Sequence, residues 1–117
     1  MKKYVKADRF YLGDEVKENG YLEIDGQLFG TWSADLPEHG EVLDYSGYQI
    51  APGLVDTHIH GFAGQDVMDN SAEALKIMSQ ELLSAGITSF LPTTLTAPSE
   101  ALRQVCQTIA ATIDQTN

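Results

Sequence analysis

The sequence is short of positive charge, of cysteine and of long apolar runs. Seven lysines and arginines stand against seventeen aspartates and glutamates, a formal charge of -10. A field of that sign disfavours nucleic acid and anionic membranes as partners. The acidic residues are spread along the chain, so the charge reads as solubility. No stretch approaches the roughly 18 apolar residues of a membrane-spanning helix, and the Met-Lys-Lys start runs into polar residues rather than the apolar core of a secretory signal. Neither nucleic acid nor membrane is expected as a partner, and the cytoplasm is the expected location. The single cysteine, Cys106, excludes an internal disulfide and suits a reducing compartment. Low-complexity segments, solenoid repeats and Pro- or Ser-rich linkers are absent from the sequence.

What remains is a globular composition, 43% hydrophobic over 117 residues, enough for one ordinary domain. It is too short for a closed eight-stranded α/β barrel, which takes about 250 residues.

Up to about Ile50 the signals are those of short strands, YVKADRFYL, YLEIDGQLFGTWS and EVLDYSGYQIA. The turn formers Glu18-Asn19-Gly20, Asp25-Gly26 and Ser46-Gly47 suggest hairpin connections and a separate antiparallel layer. Trp32, Phe29 and Tyr48 are expected to pack within it, and His39, in a turn, to lie at the surface. After Pro52-Gly53 the pattern changes. A compact apolar run holds Leu54, Val55 and Ile59, and a loop follows over residues 61–70. A helix is expected over about 71–85, with Leu75, Met78 and Leu82 on one face, Asn70 and Glu73 as a capping pair and Gly86 as the stop. ITSFL, residues 87–91, reads as a strand. A second helix runs from near Pro98 to about Asp114, with Leu102, Val105, Cys106, Ile109 and Ile113 as its apolar stripe; Cys106 on that stripe reads as a small core residue. Strand, helix, strand, helix with apolar strands argues for a parallel sheet covered by helices.

Within this second part, residues 51–64 read APGLVDTHIHGFAG, with two of the chain's three histidines one residue apart. On a strand, alternate side chains share a face, so His58 and His60 point the same way with Cα atoms roughly 6.5 Å apart. Two neutral imidazoles so placed can share one metal ion. A His-x-His pair alone is weak, and without context it is more often a structural or solvent-facing pair. Its place at the end of a first parallel strand, where chemistry gathers in such folds, favours the floor of a metal site. Gly61 and Gly64 are candidate substrate contacts, because glycine lets backbone and ligand approach closely. Asp56 shares the histidine face and reads as a supporting group rather than a ligand. Thr93 and Thr94 read either as lining the site mouth or as ordinary loop hydrogen bonding, and Met68 and Asp69 either as near substrate or as packing and capping at a helix entry.

PGLVDTHIHG, residues 52–61, resembles the signature that opens the barrel in the amidohydrolase superfamily, whose members hydrolyse amides and related bonds with one or two metals. GFAGQDVMD, residues 61–69, and GITSFLPTTLTAP, residues 86–98, resemble the corresponding segments of N-acetylglucosamine-6-phosphate deacetylases. The resemblance is strong over residues 51–98 and weak in the β-rich part. It implies an α/β fold: residues 1–52 as the β-rich part of a small β-sandwich domain, and residues 53–117 as the first two β/α units of a metal-dependent hydrolase (β/α)8 barrel. It also implies a homodimer acting on a small-molecule sugar phosphate, with release of acetate and glucosamine 6-phosphate in amino-sugar catabolism.

Members with His-x-His can hold a second metal, so His58 and His60 are carried over as ligands of the more buried position. The cofactor implied is one or two divalent ions, zinc or iron being expected, although two imidazoles also suit nickel or copper. Such an ion acidifies water and polarises the amide carbonyl. The family's metal-binding glutamate, two later histidines, catalytic aspartate and phosphate-gripping residues fall beyond Asn117, and Asp114, at a helix end, is no substitute. The chain is therefore expected to be a truncated portion of a longer enzyme, inactive by itself and marginal or self-associating as a monomer. Two alternatives stand beside this: another amidohydrolase of dihydroorotase or aminoacylase type, against which TSFLPTT speaks, and a non-catalytic β-rich module that binds a metal or a partner.

Overall fold

The structure, a computed structural model, describes residues 2–113. The chain divides into two compact units, Met1–Pro52 and Gly53–Asn117.

The first unit is one four-stranded sheet. β1 (Lys3–Leu12), β2 (Glu15–Asp25), β3 (Leu28–Ser33) and β4 (Glu41–Ile50) lie in the order β3-β2-β1-β4. β1 pairs antiparallel with β2, and β2 with β3, but β1 pairs parallel with β4. The expected antiparallel layer is therefore a mixed sheet. Of the three turn signals, only Asp25-Gly26 reverses the chain. Asn19-Gly20 lies inside β2, where Gly20 leaves room for a neighbour: a Cβ there would stand 2.6 Å from the Trp32 ring. Ser46-Gly47 forms a bulge in β4, between Tyr45 opposite Ala7 and Gln49 opposite Arg9. The first reversal falls at Gly13-Asp14, between β1 and β2.

Val5, Ala7, Phe10 and Leu22 form this unit's core, with Leu12, Ile24, Trp32 and Ile50 packed against it. The inward set steps from Val5 and Ala7 to Phe10 and Leu12, so the two-residue alternation of a strand slips by one at Asp8. The Asp8 carboxylate there accepts the Gly47 N–H of the opposing bulge at 3.0 Å. Trp32 packs as expected, but Phe29 and Tyr48 do not, being 68% and 66% exposed. Both sit on the outer strands; the Tyr48 ring meets Tyr45 edge-on, with centroids 6.3 Å apart. His39 is exposed, as expected.

The second unit runs β5 (Leu54–Ile59), a two-residue-per-strand hairpin of β6 (Gly61–Phe62) and β7 (Gln65–Asp66), α1 (Ala72–Ser84), β8 (Ile87–Pro92) and α2 (Ser99–Thr112). β5 and β8 pair in parallel, with α1 as the crossover, so the strand-helix-strand-helix order is present. The α1 N-cap is Ser71, whose hydroxyl accepts the Ala74 N–H at 3.2 Å. The expected Asn70 instead accepts a 2.6 Å hydrogen bond from the Thr108 hydroxyl. Leu75, Met78 and Leu82 are buried on one face of α1. Val67, Met78 and Val105 form the core, with Ile59, Met68, Phe90 and Ile109 against it.

The α2 stripe is rotated from its expected setting. Val105 and Thr112 are buried, whereas Cys106 and Ile113 are exposed. Each helical residue turns the side chain by about 100°, so a face centred on Val105, Ile109 and Thr112 carries Cys106 out of the core. The Thr112 hydroxyl is satisfied locally, donating to the Thr108 carbonyl at 2.6 Å. Asp114 lies outside the described residues. The strands are not covered on both faces: Leu54 and Val55 are 62% and 63% exposed, while Ile59 and Phe90 meet the helices. No helix among the described residues is long and apolar enough to cross a membrane.

Candidate metal centre

β5 is extended through Ile59, and the chain is held at both ends of the His-x-His segment. The Asp56 carboxylate accepts the His58 N–H at 3.0 Å, which ties the strand to its own side chain. This is a supporting role, as the sequence suggests. Beyond it, the Ile59 carbonyl accepts the Thr93 N–H, and the His60 carbonyl accepts the Val67 N–H, each at 2.8 Å.

The two imidazoles converge. Nε2 of His58 lies 3.2 Å from Nε2 of His60, and the rings stand edge to face with centroids 4.9 Å apart. Two nitrogens bound at 2.0 to 2.1 Å to one tetrahedral ion are separated by about 3.3 Å. The spacing therefore matches that of two donors on a shared divalent cation, and it also lies within hydrogen-bond reach of one ring nitrogen to the other. His60 is half-buried and His58 exposed. Among the described residues no group of three or more His, Cys, Asp or Glu is placed to hold a metal, so the pair stands without a third such side chain beside it.

The other nitrogen of His60 is also engaged. Its Nδ1 is 3.0 Å from the Thr93 carbonyl oxygen; a carbonyl only accepts, so Nδ1 is the donor in this hydrogen bond. Sequence reasoning named Thr93 for its side chain and missed this contact, because a main-chain carbonyl leaves no mark in residue identity. The Thr93 hydroxyl itself bonds the Leu91 carbonyl at 3.0 Å, an ordinary loop contact. Thr94 is half-buried.

The loop after the histidines is built for tightness. A Cβ on Gly61 would stand 2.3 Å from the Gln65 carbonyl oxygen, so the β6–β7 hairpin closes only over glycine. Ala63 and Gly64 form its tip, with φ of 51° and 77°. The next turn, Val67–Asp69, is a reciprocal capping box: Asp66 accepts the Met68 N–H at 2.7 Å, and Asp69 accepts the Asp66 N–H at 2.8 Å. Asp69 caps and Met68 packs, the plainer of the two roles open to each; the part of Asp66 was not foreseen.

Residues 50–114 match the Amidohydrolase family, a span that takes in both histidines, β5, β8 and both helices. The chain belongs to the amidohydrolase family. It is 31% identical over 107 residues to the N-acetylglucosamine-6-phosphate deacetylase of Vibrio furnissii, covering 90% of this chain and 27% of the relative. It is 35% identical over 96 residues to the N-acetylgalactosamine-6-phosphate deacetylase of Escherichia coli O157:H7, covering 80% of this chain and 25% of the relative. The crystal structure of N-acetylglucosamine-6-phosphate deacetylase from Pasteurella multocida superposes with a TM-score of 0.88 at 25% identity, over 98% of this chain and 31% of that one. The amidohydrolase chain thus shares the expected α/β fold and spans about a quarter to a third of the length of these relatives.

Proposed function

We propose that the protein hydrolyses the N-acetyl group of N-acetylglucosamine 6-phosphate, releasing acetate and glucosamine 6-phosphate, with His58 and His60 as ligands of a divalent metal, zinc or iron. The observation that carries this is the 3.2 Å approach of the two Nε2 atoms in a chain whose family match spans both. When bound, a divalent cation there would polarise the amide carbonyl and bring the pKa of a water towards about 7. His58 and His60 hold the cation in place, Asp56 fixes the His58 main chain, and the glycine-closed hairpin places backbone rather than side chains beside the site. Gly61 and Gly64 are the proposed substrate contacts in that hairpin. The remaining ligands, the general base and the phosphate-binding groups are proposed to come from residues beyond Asn117. In the same reading residues 1–52 belong to a small β-sandwich, residues 53–117 open a (β/α)8 barrel, and the whole enzyme is a cytoplasmic homodimer.

Acetate release tests the proposal. The full-length protein is expected to deacetylate N-acetylglucosamine 6-phosphate, and the 117-residue chain to show no turnover. Absence of release from this substrate, with release from a dihydropyrimidine, an N-acyl amino acid or neither, overturns the assignment. N-acetylgalactosamine 6-phosphate belongs in the same assay, because the relative named for that substrate is 35% identical. Preference for it would change the sugar and keep the chemistry.

A further inference from the structure

We infer that the main-chain carbonyl of Thr93, immediately after β8, is a positioning group that fixes the tautomer of His60 and so aims its Nε2 at the point His58 also faces. This rests on the proposed metal site and adds a second strand to its construction. The contact has two halves. The Thr93 N–H donates to the Ile59 carbonyl at 2.8 Å, and its carbonyl accepts from His60 Nδ1 at 3.0 Å. Residue 93 therefore grips the His-x-His segment on both sides of the peptide that joins Ile59 to His60. A neutral imidazole carries one N–H; with that proton held on Nδ1, Nε2 keeps a lone pair, which faces the His58 Nε2 at 3.2 Å and is the one a cation would take. The alternative tautomer would leave the carbonyl unpaired and set an N–H where the ligand atom is needed. On His58 the Asp56 carboxylate accepts the main-chain N–H and not a ring N–H.

The test uses full-length protein with nitrogen-labelled histidine, freed of metal and then titrated with zinc. Long-range proton–nitrogen correlation is expected to show His60 protonated on Nδ1 both before and after zinc is added; an Nε2–H form of His60 overturns the inference. Replacing the amide between Thr93 and Thr94 by an ester weakens the Thr93 carbonyl as an acceptor and alters no side chain. Zinc affinity is expected to fall about 10- to 100-fold in the ester and to stay within about twofold in Thr93→Ala, which keeps the carbonyl. An ester variant within twofold of the parent overturns the inference; should that variant not fold, the His60 tautomer in the parent decides. The outcome separates from that of the proposed function. A zinc site that responds to the ester in a protein without deacetylase activity leaves the clamp standing and removes the function. Deacetylation with His60 protonated on Nε2 does the reverse.

Discussion

Gly61 and Gln65 approach more closely than any side chain permits, since a Cβ on Gly61 would lie 2.3 Å from the Gln65 carbonyl oxygen and 3.2 Å from the Asp66 Cα. Both neighbours are backbone and cannot swing aside. Gly61→Ala must therefore open the hairpin whose base carries the Val67 N–H to His60 carbonyl bond. The expected cost is about 1–3 kcal/mol, read as a lower denaturant midpoint with an unchanged slope. Zinc affinity should fall at least about tenfold, because His60 loses its support on that side. An unchanged midpoint and affinity would show that the loop relaxes freely.

His58→Ala and His60→Ala each remove one of two converging donors. Elemental mass spectrometry of the purified variants should show one metal ion fewer per subunit than the parent. The specificity constant for the sugar phosphate should drop by at least about 100-fold, equivalent to about 2.7 kcal/mol of transition-state stabilisation. Full metal content in both variants would remove these histidines from the site.

Met78 is fully buried in α1 and packs in the cluster that holds Ile59, the residue between the two histidines. Met78→Ala should cost about 2–5 kcal/mol in chemical unfolding. Its zinc affinity should weaken by a smaller factor than in Gly61→Ala, because the strand-end hydrogen bonds remain. A cost under about 0.5 kcal/mol would mean that the cluster collapses onto the vacated space.

The Asp44 carboxyl is held down to about 2 by the Ser46 hydroxyl first, then by the Ser46 N–H and Lys6. These donors lie at 2.5, 2.8 and 3.1 Å. A carboxyl depressed in the folded state contributes stability that is fully present above its ordinary pKa of 3.8 and is lost as pH falls through about 2. In Ser46→Ala the midpoint of the Asp44 carboxyl, followed by NMR, should move up towards the ordinary carboxylate range. An unmoved midpoint would assign the depression to the residue 46 N–H and Lys6, both of which the substitution leaves in place.

The second unit was largely legible in the sequence because its signals are local. Leu75, Met78 and Leu82 recur at helical spacing, and Gly86, with φ of 78°, stops α1 where the pattern ends. The first unit was less so. Asn19-Gly20 and Ser46-Gly47 carry turn chemistry, yet strand pairing absorbs them into β2 and into a bulge of β4, because cross-strand partners outweigh local preference. The parallel pairing of β1 with β4 joins residues 38 to 40 positions apart, and no short window contains both.

The amino-acid order by itself determined an extended segment that presents His58 and His60 on one side, the two amphipathic helices and the strand between them, since each depends on periodicity within a few residues. Only the tertiary structure decided that Thr93, 33 positions from His60, sets its carbonyl 3.0 Å from the His60 Nδ1. It likewise decided that α2 turns Cys106 outward and that Gly61 is required by the Gln65 backbone. These depend on which distant atoms share a space, and chain connectivity does not encode that locally.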